Sequence, residues 1–466
     1  MRSLDNAIPV GSRRAEAGSS ESATLTGLRQ AFDIPRLFRS RFRRDLGLTA
    51  FAQLGVFGIN ALTGLLAARL LGPQVRGQLA ALTLWPGALI FITHPGTDAA
   101  LVFHVGKQRF RFAEVWTAGT VLGILQALLV IPVGLFVVPL ALRSYPAQVR
   151  HLAIIFLCSA PSIIFVSQLT SLLQGKLRLD AYNLVRTIAP AAYALGLLAL
   201  FFLHRPNLRD VVAFQIAGAV AAAGAGYAFL SRKQTFQFRW NVQACRSLLS
   251  FGWRTQLSNV TSFANQRLDQ LLLSLFVPPQ QLGLYVVAVT VASALGFIPQ
   301  AAGIVTYAAG SNLNANDAGR IISRSLQACL VCLGLGCSLL FVIVPWLLPF
   351  AFGRGFAGAV LACRILLPGA VAFGLSHVLY DGARSLGHPA LPAHAEGCSL
   401  IVTLGCLYLL VPRFGFVGAA LASTLAYGTS LVAAFMLFKR RAGLGWRDLV
   451  GLSNPTRRRV FSDGSR

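Results

Sequence analysis

Between Thr255 and Asp269 the sequence TQLSNVTSFANQRLD sets Thr255, Asn259, Ser262, Gln266 and Asp269 at i, i+4, i+7, i+11 and i+14. That spacing is one line along an α-helix, with Ser258 and Asn265 beside it. Leu257, Val260, Ala264, Leu268, Leu271 and Leu275 hold the opposite face. Hydroxyls, amides and a carboxylate in a row can exchange hydrogen bonds and hold charge, but they include no nucleophile with an adjacent base. Two arginines, Arg254 and Arg267, flank the stripe. The whole stretch lies in an apolar segment, 248–276, long enough to cross a bilayer. By helix rise Arg254 sits about 12 Å to one side of the segment's midpoint, and Arg267 and Asp269 sit about 7 and 10 Å to the other. Unpaired polar groups in hydrocarbon are costly and ionised ones more so, so this face is expected to line a water-filled cavity between helices. Arg254, Asn259, Ser262, Gln266, Arg267 and Asp269 are therefore its candidate binding residues.

Other ionisable groups are sparse. His94 and Asp98 stand four apart, as do His377 and Asp381, each pair near the end of an apolar segment. Asp98, Asp269 and Asp381 are candidates for carrying a coupling proton, with hydrogen bonding at a helix end as the plainer reading of the His/Asp pairs. Arg69 and Arg364 read as interfacial side chains that snorkel to the surface. The eight cysteines are scattered, seven in apolar runs and Cys245 in a basic loop, with neither a disulfide frame nor metal-ligand spacing. No phosphate loop, nucleophile motif or paired carboxylates stand out. No cofactor is expected, and with short loops on the outer side the chain does not read as an enzyme.

The elements that position these residues follow from composition. The 466 residues are 55% hydrophobic and 12% charged, the profile of an all-α integral membrane protein. A formal charge of +26 would suggest nucleic acid in a soluble chain; here membrane topology accounts for it. Twelve segments long enough to span occur between 48 and 438, the second at 78–103. Placing both termini in the cytoplasm gives that side 29 Lys/Arg against nine on the other, as the positive-inside rule requires. The expected organisation is a basic cytoplasmic tail with an interfacial helix at 1–47, six helices at 48–230, a cytoplasmic linker at 231–247, six helices at 248–438 and a basic cytoplasmic tail at 439–466. In that interfacial helix Ile34, Phe38 and Phe42 share a face among arginines.

A repeat ties the two sets of six together. A shift of 206 aligns Gln53 with Asn259, Phe57 with Phe263, Asn60 with Gln266, Thr63 with Asp269, Pro73 with Pro279 and Gly77 with Gly283. The first helix thus carries a weaker copy of the ladder, Thr49, Gln53, Asn60 and Thr63, which adds Gln53 and Asn60 to the candidate cavity. Six spans separate the copies, so the expected lobes run in the same direction about an axis along the membrane normal.

The segment AARLLGPQVRGQLAALTLWPGALIFITHPGTDAALVFHVGK, Ala67 to Lys107, resembles the opening of bacterial polysaccharide transporters, the oligosaccharide flippases of O-antigen and exopolysaccharide pathways. LLSFGWRTQLSNVTSFANQRLDQLLLSLFVPPQQLGLYVVAVTV, Leu248 to Val291, is similar to the start of their second half. The resemblance implies two six-helix lobes around a central cavity, like multidrug and toxin extrusion (MATE) proteins. It also implies export of undecaprenyl-pyrophosphate-linked oligosaccharide across the bacterial cytoplasmic (inner) membrane by alternating access, with a polysaccharide polymerase and chain-length machinery as candidate partners. Arginines suit a pyrophosphate, and amides and hydroxyls suit a sugar. A MATE-like drug/cation antiporter and an integral-membrane glycan polymerase or ligase are the alternatives.

Overall fold

The computed structural model describes residues 36–204, 207–232, 236–310, 315–388 and 390–442. Most of the amino tail, the carboxyl tail from 443, Ile34 and Lys233 lie outside the described residues, as do the side chains of Phe38, Phe42, Thr49 and Ser258. The chain separates into two compact units, 1–54 and 55–466. In the first, residues 36–54 are helical and the Gln53 side chain is exposed. The remainder of that helix and all the others belong to the second.

Among the described residues the fold is all-helical, with twelve helices in chain order: α1 (36–71), α2 (73–106), α3 (Phe112–Ala141), α4 (147–175), α5 (Leu179–Phe202), α6 (Leu208–Ser231), α7 (Val242–Phe276), α8 (279–310), α9 (Ala315–Phe352), α10 (Ala359–Ser385), α11 (391–414) and α12 (416–442). Among the described residues nine stretches are long and apolar enough to cross a membrane by themselves. Two of the nine, Ala52–Thr93 and Leu391–Arg440, each hold two helices, while α7 is too polar to count among them. Its polar ladder is the reason.

The corners have a local cause. Gly72 adopts φ 70° and Gly415 φ 56°, a region that side chains avoid and glycine does not. At the first corner Pro73 follows at once, with its φ already set for a helix start and no N–H to leave unpaired. At the second the chain turns back on itself: Ser399 Oγ of α11 donates to the Ala426 carbonyl of α12 at 2.8 Å, although 27 residues of straight helix would hold them about 40 Å apart. α2 is broken at His94-Pro95-Gly96, where Gly96 has φ 73° and its N–H donates to His94 Nδ1 at 3.0 Å.

α2 and α7 lie antiparallel along a long seam. Trp85 Nε1 donates to Ser274 Oγ at 2.9 Å, Phe91 stacks on Phe263 at 4.5 Å, and Gln256 Nε2 donates to the Phe91 carbonyl at 2.7 Å. Farther along, the Gly96 and Gly252 backbones touch and His104 Nε2 meets Ser247 Oγ at 2.8 Å. Residue numbers rise on one helix as they fall on the other.

The 206-residue repeat reappears as matched contacts. Phe57 of α1 meets Phe297 of α8 at 5.6 Å, and these are the residues 206 before Phe263 and 206 after Phe91. At the two Pro-x-x-x-Gly turns, 73–77 and 279–283, the correspondence is reciprocal. A Cβ on Gly77 would lie 1.7 Å from the Pro279 carbonyl oxygen, and one on Gly283 would lie 1.9 Å from that of Pro73. Each Pro-x-x-x-Gly turn thus packs against its own copy, and only glycine lets the backbones come so close. Around this crossing the large core buries Tyr285, Leu282, Leu79 and Ala81.

Candidate functional site

A cavity of about 460 Å³ opens beside the crossing. α1 contributes Asn60 and Thr63, α2 Arg76 and Thr83, α5 Tyr193 and α6 Gln215. From the second set of helices come Gln266, Arg267, Asp269 and Gln270 of α7, Thr290, Ser293 and Gln300 of α8, Phe373 of α10 and Tyr427 of α12. The last third of the α7 ladder therefore meets Asn60 and Thr63 of its copy on α1 in one space, while Gln53 is not part of that lining.

The rest of the ladder goes elsewhere. At about 100° per residue the polar groups of α7 fill an arc wider than one line, because Gln256, Arg267 and Gln270 extend one edge and Asn265 the other. On that second edge Ser262 donates to Glu396 Oε2 of α11, and Asn265 Nδ2 donates to the Glu396 backbone carbonyl at 2.9 Å. Asn259 lines a different cavity of about 360 Å³ with His94, Asp98, Ser167 and Gln256. Thr255 is bonded within its own helix, to the Gly252 carbonyl at 2.7 Å. Arg254 is exposed, lies away from the central cavity, and borders a third cavity at the start of α7. The single continuous lining expected from spacing is thus divided three ways.

Arg76, and not Arg254, joins Arg267 in the lining of the central cavity. By apolar runs alone it falls in an outer loop, ahead of a second span that starts at 78. In the structure α2 starts at Pro73, so Arg76, Leu79 and Thr83 fall at i, i+3 and i+7 on the cavity face. Its Nε is shielded from solvent and has no hydrogen-bond partner. Arg267 Nη1 bonds the side-chain oxygen of Gln270 at 3.3 Å. Among the described residues neither guanidinium pairs with a carboxylate.

Asp269 is fully engaged. Tyr285 O–H and Ser423 Oγ, the latter at 2.9 Å, donate to its Oδ2, and the Gln270 N–H donates to Oδ1 at 2.7 Å. It locks α7, α8 and α12 together at the cavity wall. Of the other candidate acids, Asp98 faces His94 Nε2 at 3.4 Å and accepts from Ser167 Oγ at 2.6 Å, joining the break in α2 to α4. Asp381 pairs with Arg384 at 3.1 Å instead of His377. His377 packs against Phe373 and Tyr380, its Nε2 without a partner. Glu396, Tyr285, Tyr193 and Arg76 do not stand out in the sequence as site residues. A carboxylate in the apolar run 392–411 was the available signal for Glu396.

Chemically, the cavity offers two guanidiniums without carboxylate partners, one carboxylate with its oxygens already bonded, and a wall of hydroxyls and amides. It suits an anion attached to a hydroxyl-rich group. Among the described residues no cluster of His, Cys, Asp or Glu could hold a metal.

Solved structures place the architecture. An inward-facing multidrug resistance MATE family transporter of the MOP superfamily superposes with a TM-score of 0.70 at 14% identity, covering 87% of this chain and 100% of that one. The lipid II flippase MurJ in an inward closed conformation gives the same score at 13% identity, covering 84% and 87%. Fold and cavity together define a multi-pass membrane protein with the MATE/MOP fold. Its sequence is more specific: the family model described as "Polysaccharide biosynthesis protein" matches residues 42–307, over half of the chain, and the chain belongs to that family. A Shigella flexneri protein described as "Putative O-antigen transporter" is 24% identical over 270 residues, which are 56% of this chain and 63% of that protein's length.

Proposed function

We propose that this protein is a flippase that carries a lipid-linked oligosaccharide from the inner to the outer leaflet of a bacterial cytoplasmic membrane for surface polysaccharide synthesis. The observation that carries the reading is the pair Arg76 and Arg267, from α2 and α7, facing one hydroxyl- and amide-lined cavity with no carboxylate among the described residues paired to either. A pyrophosphate fits two such forks, and a glycan fits the wall around them. Family membership and the O-antigen transporter's likeness support the same cargo class. At about 460 Å³ the cavity matches a small-molecule site, so it takes a headgroup and its first sugars, and a longer glycan requires a wider state of the same space. The repeat supports two lobes, 48–230 and 248–438, moving about the crossing of their Pro-x-x-x-Gly turns. Asp98, Asp269 and Asp381 are the acids available to couple that movement to an ion.

The test is transfer of lipid-linked oligosaccharide across proteoliposomes containing the purified protein. Arg76→Gln and Arg267→Gln each remove a charge and a fork, and hydrogen bonds to charged groups contribute about 1.5–3 kcal/mol. Each variant should therefore bind cargo roughly 10- to 150-fold more weakly while inserting normally. Normal transfer by the double variant would overturn the reading, as would transport of a cationic drug in place of the anionic lipid.

A further inference from the structure

The third cavity, about 420 Å³, is separate from the central one and lies where the 107–111 loop meets the start of α7. Arg109 reaches it from the loop. Arg246 and Arg254 reach it from α7, and with Ser250 between them they sit at i, i+4 and i+8 on one helix face. All three arginines are exposed, none of their side chains has a hydrogen-bond or ion-pair partner among the described residues, and the lining contains no Asp or Glu.

The floor beneath these cations is fixed. Phe103 stacks on Phe251 with ring centres 4.7 Å apart, and the buried His104 stacks on Phe110 at 5.7 Å. His104 is held at both nitrogens, by the Ala100 carbonyl and Ser247 Oγ, each at 2.8 Å. Three unpaired forks above an aromatic floor are a site for phosphate oxygens joined to a hydrocarbon chain. We propose that this pocket docks the phosphate of a lipid headgroup on the linker side of the protein. The inference does not rest on the flippase reading, because a phospholipid and a polyprenyl pyrophosphate present the same chemistry to it.

The test uses the full-length protein in nanodiscs of neutral lipid, in an Arg76→Gln/Arg267→Gln background that weakens the central cavity. Phosphatidylglycerol and a polyprenyl pyrophosphate are titrated separately, and bound lipid is read by native mass spectrometry. A basic side chain near a lipid surface contributes about 1 kcal/mol, so each of Arg109→Gln, Arg246→Gln and Arg254→Gln should weaken binding about fivefold, and the triple variant on the order of a hundredfold. Lysine at all three positions should recover most of that loss. The control, Arg232→Gln/Arg239→Gln, removes charge from the same linker outside the pocket and should change nothing. Binding of the pyrophosphate lipid alone would make the pocket a waiting position for cargo; equal binding of both would make it a general headgroup site. Either supports the proposal. Unchanged affinity in the triple variant, an equal loss in the control, or equally tight binding of inorganic pyrophosphate would overturn it.

Discussion

The crossing of the two Pro-x-x-x-Gly turns can be tested with a single methyl group. A Cβ on Gly77 would stand 1.7 Å from the Pro279 carbonyl oxygen, whereas an ordinary carbon–oxygen contact is about 3.3 Å. The two backbones must part by about 1.6 Å to admit it. Overpacking of this kind typically costs about 1–3 kcal/mol. Gly87, on the same helix, has nothing within 4 Å of its Cβ position and serves as the reference. Both alanines gain about 1 kcal/mol of helix propensity, so their difference isolates the crossing. Gly77→Ala should be about 1–3 kcal/mol less stable than Gly87→Ala, measured as thermal midpoints in detergent by size-exclusion chromatography. Gly283→Ala parts the same two backbones. The double variant should therefore cost at least about 0.5 kcal/mol less than the sum of the singles. Equal midpoints for Gly77→Ala and Gly87→Ala, or strict additivity at the corner, would refute the reciprocal packing.

Cysteines placed at Asn60 and Gln266 in a background without the native thiols should react with a water-soluble maleimide, while one at the buried Leu273 should not; equal labelling at all three would remove the cavity. Asp269→Leu takes the acceptor from Tyr285 and Ser423, at about 1–3 kcal/mol for each stranded group. Asp269→Asn keeps an acceptor and should recover most of that stability, and a transport failure in a stable Asn variant would assign the acid to coupling. Reporter fusions at 231–247 and after 442 should both report the cytoplasm, and a linker on the opposite side would break the two-lobe scheme.

Much of this fold can be read from residue type and spacing. The polar ladder of α7 shows because a 3.6-residue period of amides and hydroxyls stands out against leucine and valine. The corner at Gly72-Pro73 shows because those two residues combine a left-handed turn with a helix start. Arg76 escapes such a reading for a physical reason. PQVRGQ is polar, so an apolar-run criterion reads it as loop, yet Pro73 begins a helix whose first turn lies at the cavity wall and not in lipid. Periodicity also could not divide the ladder, since it reports which residues share a face and not which neighbour that face meets. Glu396 of α11 claims Ser262 and the second cavity claims Asn259. Spacing similarly permitted His377–Asp381, but Arg384, one turn from the acid, took the carboxylate.

A frame built on a twofold repeat would, with matching side chains, hold a bound molecule equally well in two poses turned by half a circle. The backbone here keeps the repeat, with Gly77 against Pro279 and Gly283 against Pro73. The charges do not. The position equivalent to Arg76 is Leu282, and the one equivalent to Arg267 is Ala61. A symmetric container with an asymmetric wall removes the twin pose, so a molecule entering it has one way round. For the lipid-linked cargo proposed above, whose chain would remain in the bilayer while its head turns over, that choice would fix the side on which the tail leaves.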